Sequence, residues 1–384
     1  MRWSLHVVTL SGIGVYVHVT FFALLGFFVF VYGEERGPRV MGFRALLIVA
    51  LFSCVLLHEL GHALAARRFG IATRDITILP IGGVARLESV PRQPFHEFVI
   101  ALAGPLVNLA IVLVLIVLVV ALPGTDLTES VAAVLQPPGG GDLLSAIGWE
   151  PFLGALLVLN ALVTLLNLVP AFPLDGGRIL RSLLATGLRY DTATQIAATC
   201  SQLLAVVLIL IDLTSGLSPY LSVLAVFVFL GTFAESNAAR LFVALEGSTA
   251  LDGAEEELMA LTADTPLGVA RTVLSGQQSV YPVFEGERLL GILGADDVLA
   301  AQRELGDQVR VAEVPLRPIE RVAPDTSLSS LFDRMSRRRL AAVAVTHGDR
   351  FLAIVTPRSI QARAYSTLER REASASRGSR AAET

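Results

Sequence analysis

The chain contains six long apolar stretches, and these constrain its fold more than any other feature. A helix needs about 20 predominantly apolar residues in a row to cross a bilayer. With 53% hydrophobic and 17% charged residues, a soluble fold is excluded, because one compact core could not bury that much apolar side chain. We therefore predict a multi-pass α-helical membrane protein with about six transmembrane helices. The stretches lie near residues 13–32, 41–66, 98–122, 152–174, 193–211 and 213–234.

The placement of arginine predicts the orientation of these helices. Loops rich in arginine and lysine stay in the cytoplasm, whereas residues 123–151 contain acidic residues and no basic one. Both termini are therefore expected in the cytoplasm, in a protein of the cell membrane that contacts the lipid bilayer. The net charge of -4 argues against nucleic acid as a partner. Arginines follow the second stretch (Arg67, Arg68, Arg74, Arg86, Arg92) and the fourth (Arg178, Arg181, Arg189).

A second domain is predicted after Arg240, where the composition becomes mixed and soluble in character. Residues 263–267 match residues 324–328, and residues 286–293 match residues 348–355, so this region contains an internal repeat. Each copy is predicted to contain a helix, a strand, a glycine-containing turn, a strand and a helix, which indicates an α/β fold. The expected domains are a membrane domain over 1–240, an acidic linker over 241–257, a repeat pair over 258–366 (copies at about 258–305 and 310–365) and a disordered tail over 367–384.

His58, Glu59 and His62 form a His-Glu-x-x-His motif at the inner end of the second stretch. Side chains four residues apart lie above one another on a helix, so both imidazoles can bind one metal ion. Glu59 lies about 100° further round the helix, near a bound water molecule. The alternative is a polar helix end or a pore-lining patch, although ionisable groups at bilayer depth are costly and seldom lack a function. The motif predicts a catalytic zinc site.

A third zinc ligand is expected from elsewhere in the chain, because a catalytic zinc usually has three protein ligands. Asp175 is the best candidate, since it lies at the inner end of the fourth stretch and therefore at the depth of the two histidines. Nearby prolines and a Gly-Gly pair predict irregular backbone that lines a cavity. A helix-capping aspartate is the alternative. Asn167, one to two turns earlier, is a candidate oxyanion donor or a bridge between two helices.

These motifs resemble the site-2 protease family of intramembrane zinc metalloproteases (peptidase family M50), in the subgroup with a C-terminal pair of CBS domains. The resemblance covers nearly the whole chain and includes a Gly-Gly loop at 79–85 and the pattern at 103–108. It implies a zinc metalloendopeptidase with one zinc ion per chain, bound by His58, His62 and Asp175, and with Glu59 as general base. The implied substrates are single-span membrane proteins, such as membrane-tethered transcription regulators, which are cut in or near their transmembrane segments in regulated intramembrane proteolysis.

The repeat pair resembles CBS domains, which implies an adenine-nucleotide site that modulates the enzyme. The first copy keeps the expected aspartate, Asp297, but has Gly294 in place of threonine. The second keeps the threonine, Thr356, but has Ser359 in place of aspartate. Asp297 and Thr356 are thus the candidate nucleotide-binding residues. The competing interpretation is a pair that only forms a homo-oligomer or docks the substrate.

Two further expectations concern the substrate and the function class. A transmembrane helix has no unpaired backbone groups, so residues 76–87 are expected to form a hairpin whose edge pairs with an unwound substrate, with a plain turn as the alternative. Glu97 and Glu235 are expected at the membrane interface. The alternative function is a CBS-gated membrane transporter or channel, since such repeats also occur on ion transporters. The paired His-Glu-x-x-His and Asp175 motifs favour the protease.

Overall fold

The chain divides into two compact units, Met1–Asn237 and Ala238–Thr384. The computed structural model describes residues 3–31, 37–80, 82–87, 91, 93–122, 128, 131, 148–215, 220–274 and 278–382. The acidic loop that was expected over 123–151 lies almost entirely outside these described residues.

Long apolar helices dominate the first unit. In the described part of the chain, five helices are long and apolar enough to cross a membrane, which confirms the multi-pass α-helical class. Their outer faces carry large apolar side chains; Val117 and Val120, for example, are 65% and 69% exposed. Such faces are suited to lipid. The described α-helices up to Leu245 are α1 (Val19–Val31), α2 (Pro38–Arg68), α3 (Pro94–Ala121), α4 (Trp149–Leu168), α5 (Asp175–Leu184), α6 (Tyr190–Ser215) and α7 (Tyr220–Leu245). The five that are long and apolar enough are α2, α3, α4, α6 and α7.

The first predicted span differs from the structure. Residues 13–18 form a strand, and only Val19–Val31 is helical, so the helix predicted over 13–32 is wrong in its first part. The physical reason is a two-residue alternation, in which Ile13 and Val15 are buried while Gly14 and Tyr16 are less so. An apolar average does not distinguish such a strand from the start of a helix.

A four-stranded sheet packs against the inner half of α2. Strand β1 (Ser4–Leu10) pairs antiparallel with β2 (Ile13–His18), β2 pairs parallel with β3 (Thr73–Leu79), and β3 pairs antiparallel with β4 (Gly82–Leu87). The order β1-β2-β3-β4 leaves β4 at an edge. The predicted hairpin is therefore confirmed, and it begins three residues earlier, at Thr73. The shared core contains Ile13, Phe21, Ala63, Ile76 and Ile78.

The second unit contains two copies of one α/β arrangement, as the internal repeat predicts. In each copy a short strand runs parallel to the first strand of an antiparallel hairpin. Gly286 and Gly348 occupy the hairpin turns with φ of 59° and 60°, a left-handed conformation that favours glycine. The first copy comprises β5 (Leu261–Thr262), α8 (Leu267–Val273), β6 (Val280–Glu285), β7 (Arg288–Gly294) and α9 (Ala295–Leu305). The second comprises β8 (Glu320–Val322), α10 (Leu328–Arg338), β9 (Val343–His347), β10 (Arg350–Val355) and α11 (Pro357–Ala382).

Two segments have more structure than their composition suggests. The expected linker begins as helix, since α7 ends at Leu245 and its last residues pack into the core of the second copy. The expected disordered tail over 367–384 is instead helical as far as Ala382. Alanine, arginine and glutamate are common there, and all three have high helix propensity.

Candidate metal centre

Three possible metal ligands converge at the inner end of α2. His58 and His62 lie one helical turn apart, with their Nε2 atoms 3.0 Å from each other. Oδ2 of Asp175, the first residue of α5, lies 3.2 Å from both Nε2 atoms. Among the described residues, this is the group of histidine, cysteine and acidic side chains whose spacing suits a metal ion. Its side chains are at most 12% exposed, so water does not compete strongly for the ligand atoms.

The hydrogen bonds of His62 show that this group fits zinc. Its Nδ1 lies 2.7 Å from the carbonyl oxygen of Ile100, which can only accept, so Nδ1 carries the proton and Nε2 presents a lone pair. Oδ2 of Asp175 has no hydrogen-bond partner within the described part of the chain. Lone pairs that meet in this way repel one another unless a cation lies between them. Ligand atoms about 2.0 to 2.1 Å from a tetrahedral zinc are separated by about 3.3 Å, close to the spacing here.

Gly104 allows α3 to approach the two imidazoles. A β-carbon at this position would overlap Nε2 of His62 and would lie 2.7 Å from Cε1 of His58. Ile100, one turn earlier on the same helix, supplies the carbonyl that orients His62. The start of α3 therefore forms one wall of the site, and no side chain larger than hydrogen fits at residue 104.

The backbone before α5 holds Asp175 in place. Helix α4 ends at Leu168 and α5 begins at Asp175, so the helix break predicted from the prolines is found. A β-carbon on Gly176 would overlap the carbonyl of Val169, because the loop folds back closely on the start of α5. The N–H of Phe172 also donates to Oγ of Ser201 at 2.8 Å. Asn167 lies in the last turn of α4, partly buried and two residues before Val169.

The side chain of Glu59 extends from α2 to β4, the edge strand of the sheet. Its Oε2 accepts a hydrogen bond of 3.1 Å from the backbone N–H of Ala85 in β4. A β-carbon on Gly83 would overlap Cγ of Glu59, so the strand comes this close only because residue 83 has no side chain. The carboxylate thus lies next to the histidine pair in sequence and next to an edge strand in space.

The two glutamates that were expected at the membrane interface, Glu97 and Glu235, pair with arginines inside the first unit. Glu97 of α3 pairs with Arg181, and Glu235 of α7 pairs with Arg178 at 2.7 Å, both arginines belonging to α5. Each partner is distant in sequence; 84 residues separate Glu97 from Arg181. Sequence reasoning on one chain offers no local pattern for such a pair.

The candidate nucleotide residues of the second unit make hydrogen bonds within the chain. Asp297 accepts from Arg317 at 2.6 Å and from the N–H of Gly294 at 3.0 Å, which caps the start of α9. Thr356 donates to Glu255 at 2.5 Å. Ser359, which replaces the expected aspartate, donates to the carbonyl of Gly253 at 2.6 Å.

Comparison with known proteins agrees with this site. The profile described as Peptidase family M50 matches residues 46–211, and that of the CBS domain matches residues 254–304 and 311–364. Zinc metalloprotease MJ0392 of Methanocaldococcus jannaschii is 29% identical over 97% of this chain and 99% of its own length. Putative zinc metalloprotease Rip3 of Mycobacterium tuberculosis is 26% identical over 94% of this chain and 92% of its own length.

A solved structure described as the site-2 protease from Methanocaldococcus jannaschii is 32% identical to this chain. The match covers 61% of this chain and 95% of that one, with a TM-score of 0.42. The M50 match includes both histidines and Asp175, and the relatives match over nearly the whole length. The chain therefore belongs to peptidase family M50, as a zinc metalloprotease of the site-2 protease type that carries a C-terminal pair of CBS domains.

Proposed function

We propose that this protein hydrolyses peptide bonds in or near the transmembrane segments of single-span membrane proteins. The observation that carries the proposal is the position of Glu59, which follows His58 directly and contacts the edge strand β4. A proton-accepting carboxylate, a set of zinc ligands and an edge strand for an extended peptide are thereby combined at one helix end.

His58, His62 and Asp175 are proposed to hold one zinc ion per chain. When bound, zinc polarises a carbonyl group and lowers the pKa of a water molecule to about 7. Glu59 accepts the proton of the attacking water and later donates it to the leaving amine. The Ala85 N–H orients this carboxylate, and the partly buried position of Glu59 limits the water that would compete for it.

The edge of β4 is proposed to bind the substrate as an added strand. Alternate residues of an edge strand turn their N–H and C=O groups away from the neighbouring strand. The N–H of Ala85 points to Glu59, so Ala85 and, two residues earlier, Gly83 belong to this outward set. A substrate helix that has unwound next to β4 would satisfy its backbone there by β-strand addition, with its scissile bond near Glu59.

Asn167 is proposed to donate a hydrogen bond to the oxyanion that develops on the scissile carbonyl. It lies at the end of α4, whose following loop packs on the start of α5 and hence beside Asp175. A hydrogen-bond donor that already points to the oxyanion position stabilises the developing negative charge, because the site does not have to rearrange during the reaction.

Arginine placement supports cleavage near the cytoplasmic face. Arg67 and Arg68 end α2 just beyond the histidine pair, so the inner end of this helix and the metal site share one side of the membrane. Both termini and the CBS pair are proposed to lie on the same side. Membrane-tethered transcription regulators are substrates of the proposed kind, because cleavage at this depth would release a cytoplasmic domain.

The CBS pair is proposed to modulate the protease by binding an adenine nucleotide at Asp297 and Thr356. Both residues are already hydrogen-bonded within the chain, so a nucleotide would have to replace Arg317 at Asp297 and Glu255 at Thr356. A pair that forms a homo-oligomer or docks the substrate is the competing proposal.

Co-expression tests the proposed activity. Candidate single-span proteins are expressed with the wild type or with Glu59→Gln, which keeps the size of the side chain and removes the proton acceptor. We expect a released fragment with the wild type alone. Equal release with Glu59→Gln would overturn the proposal, as would intact substrates in every pairing across a library of single-span proteins from the same cell.

A further inference from the structure

A cluster of four charged side chains, centred on the buried pair of Arg181 and Glu97, joins α5 to two other helices. Nε of Arg181 donates to Glu97 of α3 at 2.9 Å, and a second nitrogen of the same guanidinium contacts the same oxygen. Arg178 donates to Glu235 of α7 at 2.7 Å, and Arg181 reaches Glu235 at 3.4 Å. The side chains of Arg181 and Glu97 are each 4% exposed. The two positive and two negative charges balance within the cluster.

Stability alone does not account for this cluster. The cost of removing two charges from water is comparable with the gain from pairing them, so apolar side chains of similar size would often serve at least as well. An ion pair does provide direction, because a guanidinium and a carboxylate bind in few geometries. The cluster therefore fixes the position of α5 relative to α3 more strictly than apolar packing would.

The position that the cluster fixes is that of Asp175. Asp175 and Arg181 are the first and seventh residues of α5, a continuous helix of ten residues. On α3, Glu97 is followed after one turn by Ile100, whose carbonyl binds His62, and after another by Gly104, which faces both histidines. This segment of α3 therefore contacts the histidines directly. It is also linked to Asp175, because Glu97 pairs with Arg181 on the helix that Asp175 begins.

We propose that Glu97 is a positioning residue for the metal centre. It holds α5 through Arg181, so that Asp175 stays within bonding distance of a zinc ion on His58 and His62. The inference rests on the proposed zinc site. Glu235 restrains the same helix from the side of α7 through Arg178, but Glu97 is the member whose own helix also bears the carbonyl for His62.

Zinc affinity of the full-length protein tests the proposal. The dissociation constant is measured by competition with a chelator for the wild type, Glu97→Gln, and the double variant Glu97→Gln/Arg181→Gln, together with melting temperatures. We expect Glu97→Gln to bind zinc about 10- to 100-fold more weakly, as for the loss of other groups that support metal ligands. The double variant removes the unpaired arginine, so its melting temperature should recover while its zinc affinity stays low.

A matched variant separates positioning from a general loss of buried charge. Asp75 pairs with Arg86 at 2.6 and 2.7 Å and is 8% exposed, but it joins β3 to β4 and has no link to α5. Asp75→Asn should lower the melting temperature and leave zinc affinity within about twofold of the wild type.

Three results would overturn the positioning role: wild-type zinc affinity in Glu97→Gln, recovery of zinc affinity together with stability in the double variant, or equal weakening by Asp75→Asn. A wild type without zinc would contradict the proposed function itself, so the two failures are distinguishable.

Discussion

At the scale of single residues, the metal centre depends on a glycine as much as on its ligands. Gly104 lets the backbone of α3 reach the imidazoles of His58 and His62. Ligand atoms have to be held close to their bonding geometry, and the helix that carries the orienting carbonyl of Ile100 has to be close as well. A methyl group at residue 104 would remove both conditions.

We expect Gly104→Ala to weaken zinc binding on the order of tenfold or more, because the added methyl displaces the imidazoles. Gly42→Ala is the matched control, since Gly42 lies in α2 and a β-carbon there meets nothing within 4 Å. Chelator competition on both purified variants provides the measurement. Wild-type zinc affinity in Gly104→Ala would show that the histidines do not pack against α3 as described.

The proposed metal ligands and the general base were predictable from the sequence, and the contacts that hold them in place were not. The histidine pair and Glu59 follow from the geometry of one helix turn, and Asp175 follows from its depth in the membrane. The contact of Glu59 with Ala85 joins residues 26 apart, and that of Arg181 with Glu97 joins residues 84 apart. Neither contact has a periodic pattern, so only the folded chain reveals them.

At the scale of secondary structure elements, β4 connects the fold to the chemistry. Its inner side completes the sheet with β3, and its outer side faces Glu59. The hairpin was predictable because β-branched residues flank a Gly-Gly pair. The neighbouring strand β2 was not predicted, because its apolar residues run directly into those of α1 and composition does not separate them.

Proline at Ala85 tests the role of this edge. Ala85→Pro removes the N–H that binds Glu59, and an outward N–H makes no bond within the sheet, so the melting temperature should change little. We expect cleavage to fall about a hundredfold, since a displaced reacting group can cost that much, with zinc content unchanged. Val84→Pro is the contrast, because Val84 pairs with Thr77 and its loss should destabilise the hairpin. Full cleavage by Ala85→Pro would show that the Ala85 N–H does not orient Glu59 for the reaction.

At the scale of the whole molecule, the order of its parts was predictable and the state of its regulatory candidates was not. The apolar stretches and the repeat predict a membrane domain followed by an α/β pair, as found. Asp297 accepts a hydrogen bond from Arg317, 20 residues away, and Thr356 donates one to Glu255, 101 residues away. No sequence motif predicts either hydrogen bond.

Calorimetry on the full chain tests nucleotide binding at the CBS pair. If an adenine nucleotide binds, Asp297→Ala should lose a charge-assisted hydrogen bond of roughly 1.5 to 3 kcal/mol, which corresponds to a clear loss of affinity. Arg317→Gln should strengthen binding, because it releases the Asp297 carboxylate from its present partner. No heat with ATP, ADP or AMP in either the wild type or Arg317→Gln would favour the docking role.

The zinc content and cleavage activity of three variants test the central claim most directly. Glu59→Gln keeps all three proposed ligands, so it should contain about one zinc per chain, as the wild type does, and should not cleave. His58→Ala and Asp175→Asn each lose a ligand and should lose both zinc and cleavage. Metal analysis of the purified proteins, paired with a cleavage assay, gives both quantities. Undiminished zinc in His58→Ala, or cleavage by Glu59→Gln at the wild-type rate, would contradict the account.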